Sequence, residues 1–323
     1  MSWPSANLTA YSASTPALAT LAAPPVSGPR WIAVRQRFEQ FHSNLRLTKA
    51  QVQDGLTKRE GVTGCLNRHY FDSSSETDNS FFVGSWGKNT ATRPPRDVDL
   101  YFMLPEAVYH RFQNHIWNRQ SALLQEVKAV LTKSYPNTVM RGDGQVVLVG
   151  FGTYSVEVVP AFKLTNGNYW ICDTNNGGRY KETNPRAEAA YIDNADKANN
   201  TNLRPLIRML KAWQSECAVP IKSFQLELLA ADFLGQSPWR LNDFFWFDWI
   251  SRDFFAYLYQ RANTFVTVPG TNELIFLGNE WQSRAASAYN RAVKACEFES
   301  YNRVEAAGEE WQKIFGAQIP RTA

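Results

Sequence analysis

Residues 81–104 read FFVGSWGKNTATRPPRDVDLYFML, and the order of their parts decides the fold. Phe81-Phe82-Val83 is a short run of strand-forming apolar residues that stops at Gly84. Gly84 permits a tight turn and the close approach of a ligand. Ser85 adds a hydroxyl and an N–H and is a helix-capping residue type. Trp86 to Thr92 predicts a short helix, whose free N-terminal N–H groups suit a phosphate. Pro94 and Pro95 then stop that helix. Asp97 to Phe102 predicts a second strand. Side chains alternate along a strand, so Asp97 and Asp99 share one face, roughly 6–7 Å apart, while Val98 and Leu100 face the core.

Two carboxylates that close repel each other unless a cation sits between them. Oxygen ligands beside phosphates favour Mg²⁺ or Mn²⁺. Two such ions, about 3.5–4 Å apart, can activate an attacking hydroxyl and stabilise a leaving pyrophosphate. A two-ion site calls for a third carboxylate. Glu157, in TYSVEVVP (153–160), is the candidate. Its segment predicts a strand, preceded by another over Gln145 to Phe151. Placed beside the Asp97–Asp99 strand, this pair brings Glu157 onto the carboxylate face. Asp143 is the rival acid, in the turn-forming run Arg141-Gly142-Asp143-Gly144. An isolated D-x-D is common on solvated strand edges. The specificity lies in the ordered set: strand, Gly-Ser turn, basic Pro-rich loop, D-x-D strand and later acidic strand.

With these residues in place, the chain resembles the bacterial cGAS/DncV-like nucleotidyltransferases (CD-NTases), within the polymerase-β-like nucleotidyltransferase superfamily. The resemblance rests on GSWGKNTATRPPRDVDLYFMLP (84–105), SVEVVPAF (155–162), TNP (183–185), LRPLIRMLKAW (203–213) and KSFQLELL (222–229). These occur in family order across most of residues 31–300. The resemblance implies an α/β (α+β) fold, a polymerase-β-like mixed sheet with a C-terminal helical lobe. It implies a synthase of cyclic di- or trinucleotides that consumes NTPs, ATP first among them, and releases pyrophosphate. Such products serve bacterial anti-phage signalling (CBASS). Asp97, Asp99 and Glu157 become the catalytic acids and the ligands of two Mg²⁺ or Mn²⁺ ions. Gly84 and Ser85 become the cradle of the donor triphosphate. Lys211 matches a triphosphate ligand and Ser223 a position near the donor phosphates. The third acid is often Asp across the superfamily, so Glu157 is a departure, longer by one methylene.

Leu203 to Glu216 predicts an amphipathic helix. Leu203, Leu206, Ile207, Leu210 and Trp213 make its apolar stripe. Asn202 is the candidate cap, and Pro205 fits the first turn. Arg204, Arg208 and Lys211 form one basic face, read either as a solvated stripe or as a phosphate clamp across the cleft. Residues 165–183, rich in Asn, Gly and Thr, predict a hairpin with loops beside the Glu157 strand. The family has its base pocket there, and no base preference follows from it.

Composition bounds the rest. The chain has 323 residues, 44% hydrophobic, with 20 Phe, 13 Tyr and 11 Trp, ample for a sizeable core. Its net charge of +4 suits phosphate substrates but is too weak for a large nucleic-acid face. Cys65, Cys172, Cys217 and Cys296 are scattered, as free thiols in a reducing cytoplasm would be. No apolar run approaches the roughly 20 residues of a membrane span. Residues 1–29 carry no charged side chain and no signal-peptide pattern, which predicts a flexible N-terminal arm over 1–30. A nucleotidyltransferase lobe with a bridging N-terminal helix is expected over 31–198, and a helical lobe over 199–323. The aromatic run 244–260 predicts a buried helix, or a docking surface for a regulatory protein partner. Two other functions fit the same residues. One is a linear oligonucleotide or terminal nucleotidyltransferase. The other is a catalytically silent nucleotide-binding regulatory module.

Overall fold

The computed structural model describes residues 30–323. The arm expected at the N-terminus therefore lies, through residue 29, outside the described residues.

The Asp-x-Asp strand, β2 (Asp97–Met103), sits inside a seven-stranded mixed sheet. On one side it pairs antiparallel with β1 (Ser80–Phe82). On the other it pairs parallel with β5 (Ser155–Lys163). The hairpin β3 (Val139–Asp143) and β4 (Val146–Gly150) flanks the first half of β5. The hairpin β6 (Tyr169–Asp173) and β7 (Arg179–Thr183) flanks its second half. The parallel register sets Asp97 opposite Ser155 and Asp99 opposite Glu157.

Alternation then sorts the side chains. Val98, Leu100, Phe102, Val156 and Val158 pack beneath the sheet against α2 (Lys49–Tyr70), α4 (Glu106–Gln113) and α5 (Arg119–Ser134). The opposite face begins with the three acids and continues as apolar Tyr101, Val159 and Ala161, which are covered by Val83, Tyr169 and Ile171. The acids thus occupy the open end of an otherwise closed face. Asp143 ends β3, and β4 separates that strand from β5.

The second core is helical. It gathers α1 (Val34–Leu45), α6 (Pro185–Ala198), α7 (Leu203–Glu216), α8 (Ser223–Gln236), α9 (Phe247–Tyr259), α10 (Gln282–Ser300) and α11 (Val304–Phe315). Leu206, Leu210 and Trp213 of α7 meet Phe38 and Phe41 of α1 and Phe254 and Phe255 of α9. The aromatic run at 244–260 is mostly core: Phe247, Ile250, Phe254, Phe255 and Leu258 are buried. Two short strands, β8 (Phe265–Thr267) and β9 (Leu274–Phe276), form the hairpin on this side. Although α1 and α2 are consecutive, they serve different cores. Thr48 starts α2 with a capping box to Gln51, and the chain breaks between the two helices there. Arg37 anchors α1 from inside. It is fully buried, pairs with Glu299 at 2.9 Å, and donates to the carbonyls of Val304, Pro320 and Arg321.

Two local expectations change. The helix after the Gly-Ser turn is α3, only Gly84–Gly87, rather than 86–92. Asn89 adopts a left-handed conformation (φ 54°), which stops the helix as an Asn can. Asn202 does not cap α7 through its side chain, which instead donates to Arg240 and Asn242 carbonyls. Asp196 takes that work from α6, accepting the Arg204 backbone N–H at 2.9 Å.

Candidate active site

Each acid is held by a strand whose neighbours forbid it to wander. β2 and β5 present Asp97, Asp99 and Glu157 so that one carboxylate oxygen from each lies within 4.8 Å of the others. Gly84 locks against them. Its φ is +53°, and a Cβ there would stand 1.9 Å from Asp99 Oδ2. Only glycine fits that position, on conformational and steric grounds together. The Val83 N–H also donates to the Asp99 carbonyl at 3.0 Å, tying the turn to the strand.

The electrostatics of the trio point to a cation. Burial, then the charges of Asp97 and Glu157, push Asp99 up to about 7, against the pull of Lys88 and Lys211. Three adjacent acids repel one another, and a divalent ion would remove that cost. An all-oxygen donor set suits Mg²⁺ or Mn²⁺.

The acids open onto a cleft of about 250 Å³ between the sheet and the helical core. Gly84, Ser85, Lys88, Asp97 and Asp99 line one side, and Lys211, Ser223, Phe224 and Glu227 the other. Six of the seven residues singled out in the sequence meet in its walls, and Glu157 joins them through the acid trio. Ser85 lies in the first turn of α3, where backbone N–H groups have no partner within the helix. Ser223 begins α8, and its hydroxyl lies 2.7 Å from Gln214 Oε1.

The basic face of α7 proves more specific than a stripe. Arg204 donates to the Lys88 carbonyl (3.0 Å), Arg208 to those of Asn89 (2.6 Å) and Ala91 (3.2 Å), and Lys211 to that of Thr90 (3.2 Å). Three cations therefore grip four successive carbonyls of the loop that follows α3. Arg204 is further tied to Asp196 and Asp193. Arg204 and Arg208 thus act on the loop, and only Lys211 among the three lines the cleft.

Two residues of the site were missed in the sequence. Lys88 and Glu227 are buried, and Glu227 pairs with Lys88 at 2.5 Å and with Lys211 at 2.6 Å. A signal was present. Glu227 stands in the apolar run Leu226-Glu227-Leu228-Leu229, and a charge amid buried positions calls for a partner.

A family model described as "Second Messenger Oligonucleotide or Dinucleotide Synthetase domain" matches residues 32–196. The chain belongs to this family, the bacterial CD-NTases. The cyclic AMP-AMP-AMP synthase of Acinetobacter sp. is 24% identical over 64% of this chain and 60% of its own length. The CBASS oligonucleotide cyclase CdnC of Escherichia coli (strain KTE188) is 27% identical over 50% of this chain and 54% of its own. The matches thus span little more than half the length of these curated relatives. The solved structure of E. coli MS115-1 CdnC with ATP superposes with a TM-score of 0.67 at 18% identity, covering 90% of this chain and 99% of that one. A second structure of that CdnC, in complex with HORMA-deltaN, gives 0.65 at 17% identity, covering 90% and 98%. At that identity the likeness is one of fold. The family match extends from α1 into α6, so it includes the Gly-Ser turn and all three acids. Among the described residues, no helix of this CD-NTase is long and apolar enough to cross a membrane.

Proposed function

We propose that this CD-NTase is a metal-dependent nucleotidyltransferase that joins NTPs into a cyclic di- or trinucleotide and releases pyrophosphate. The observation that carries the reading is the acid trio, gathered within 4.8 Å at the edge of a cleft walled by Gly84-Ser85 and Lys211. Asp97, Asp99 and Glu157 would hold two divalent cations, Mg²⁺ or Mn²⁺. Bound there, such ions would lower the pKa of the attacking hydroxyl and offset charge on the departing pyrophosphate.

The remaining work belongs to the chain. The first-turn amides of Gly84 and Ser85 cradle the donor phosphates. Lys211 and Ser223 face them from the helical side. The ribose hydroxyl of the acceptor attacks the α-phosphate of the donor. A new P–O bond forms as the bond to the β-phosphate breaks, and pyrophosphate leaves. Repetition on the linear intermediate, its own free hydroxyl attacking its own 5′ α-phosphate, closes the ring. Positioning and charge stabilisation supply nearly all of such catalysis. ATP is the first substrate to try, since a CdnC of similar fold is solved with ATP.

The same relatives support a cellular setting. A CBASS oligonucleotide cyclase matches half of the chain, which favours anti-phage signalling in the cytoplasm. The CdnC–HORMA-deltaN complex favours a regulatory protein partner.

Incubation with all four NTPs and Mg²⁺, followed by mass spectrometry of phosphatase-resistant products, tests the reading. Cyclic products are expected from the wild type and none from Asp97→Ala or Asp99→Ala. Phosphatase-sensitive linear products would select the linear synthase instead. Equal product from all three proteins would reject the site.

A further inference from the structure

Two buried charges beside the cleft take no part in the mechanism above, Lys88 and Glu227. They belong to different parts of the molecule. Lys88 follows α3 on the sheet side, and Glu227 stands on α8 in the helical core. Glu227 divides its two oxygens between two ammonium groups. Oε1 lies 2.6 Å from Lys211 Nζ, and Oε2 lies 2.5 Å from Lys88 Nζ. Thr90 donates its hydroxyl to Oε1 at 2.7 Å, which fixes the same loop that α7 grips. The side chains of Lys88, Lys211 and Glu227 are only 6%, 10% and 2% exposed. Lys88 also lies 3.9 Å from Glu188 of α6 and 4.6 Å from the centre of the Phe224 ring.

We propose that Glu227 is a positioning residue for the donor triphosphate, aiming Lys88 and Lys211 from the two walls of the cleft at one phosphate tail. The proposal rests on the reading of the cleft as a donor-nucleotide site. Lysine is a point charge on a flexible stem, and fixing it costs rotamer freedom. A carboxylate that holds two lysines in place meets that cost before the nucleotide arrives. It also offsets their mutual repulsion, which is strong in a buried site. Burial lowers the proton affinity of Lys211, and the neighbouring Glu227 charge offsets only part of that. Burial pushes Glu227 up, but Lys211 and Lys88 outweigh it and hold the carboxyl down at about 2. The two lysines therefore favour the anionic form of Glu227. A triphosphate entering between the lysines meets two aligned cations, whereas a monophosphate lacks the tail they address.

The test is nucleotide binding to the whole chain, measured by calorimetry for ATP and AMP with Mg²⁺, without reference to turnover. Glu227→Gln keeps the shape and removes the charge. It is expected to weaken ATP at least about tenfold and AMP less than about twofold. Glu227→Asp, which restores the charge, is expected to recover part of the loss. Glu227→Gln added to the double variant Lys88→Met with Lys211→Met is expected to bind ATP no more weakly than that double variant alone, because the carboxylate acts through the two lysines. Equal weakening of ATP and AMP, no change in either, or a further loss on adding Glu227→Gln to the double lysine variant would overturn the proposal. If Glu227→Gln does not fold, Lys88→Met takes its place, with the same selective loss of ATP expected and a nucleotide-independent effect contradicting it. A wild type that binds AMP and ATP alike overturns the positioning role alone. A wild type that binds neither overturns the donor-site reading with it.

Discussion

At the residue scale, the charges of the candidate site repel one another. Asp99 is the clearest case. Its carboxyl is pushed up to about 7, first by burial and then by Asp97 and Glu157. In the unfolded chain it titrates near the usual 3.8. The folded protein thus keeps a proton that the unfolded chain releases, and this contribution to stability is lost as pH rises from about 4 to about 7. Asp99→Asn cannot lose it. We expect the metal-free variant to melt a few degrees above the wild type at pH 8 and level with it at pH 4, by differential scanning calorimetry. Mg²⁺ is expected to close the gap at pH 8 by stabilising only the wild type. A gap that is constant with pH would contradict the account. The residues at this scale were largely legible in the sequence. Gly84 is required by its φ and by Asp99, and a glycine that ends an apolar strand before a D-x-D strand announces such a turn. The trio was legible because a strand has a period of two. Asp97 and Asp99 must share a face, and Glu157 needs only the right partner strand. Lys88 was not legible as a site residue. Nothing in its neighbours Gly87 and Asn89 reveals that Glu227, far along the chain, will meet it.

At the element scale, the loop after α3 depends on α7. Arg204, Arg208 and Lys211 hold the carbonyls of residues 88 to 91. The loop's own amides bond back to Gly84, Ser85 and Trp86, so the loop carries the Gly-Ser turn with it. Arg208→Met removes the donors to Asn89 and Ala91. Hydrogen exchange at the amides of Lys88, Asn89 and Thr90 is expected to quicken about tenfold, with β5 unchanged. Uniform quickening across the sheet, or none in the loop, would contradict this coupling. The sequence displayed the basic face of α7 through its periodicity. Periodicity places residues on one face of a helix and is silent about what lies opposite. The carbonyls that occupy Arg204 and Arg208 come from a loop more than 100 residues earlier, as the separations of 116 and 119 show. The same limit explains α3. Local signals predicted a helix through Thr92, but Asn89 turns left-handed and α7 holds the carbonyls of residues 88 to 91 in the non-helical path that follows.

At the scale of the whole molecule, the sheet and the helical core are joined by the chain's first two helices and by the charges across the cleft. α1 lies in the helical core and α2 beneath the sheet, so the N-terminal segment spans both. Arg37 secures α1 through Glu299 and the carbonyls of Val304, Pro320 and Arg321. Arg37→Met leaves Glu299 buried without its cation and is expected to cost about 3–5 kcal/mol in thermal or denaturant unfolding. Adding Glu299→Gln to it is expected to restore much of that loss, and no recovery would contradict the pairing. Such long-range ties were invisible in the sequence, where Arg37 reads as an ordinary charge on an amphipathic helix.

The most direct measurement counts pyrophosphate released against nucleotide incorporated, with Mg²⁺ and all four NTPs. Each join releases one pyrophosphate, and closing the ring releases the last. One pyrophosphate per nucleotide is expected from the wild type and none from Asp97→Ala or Asp99→Ala. Release that stays below one per nucleotide would mean open chains, and equal release from the acid variants would contradict the assignment of the site.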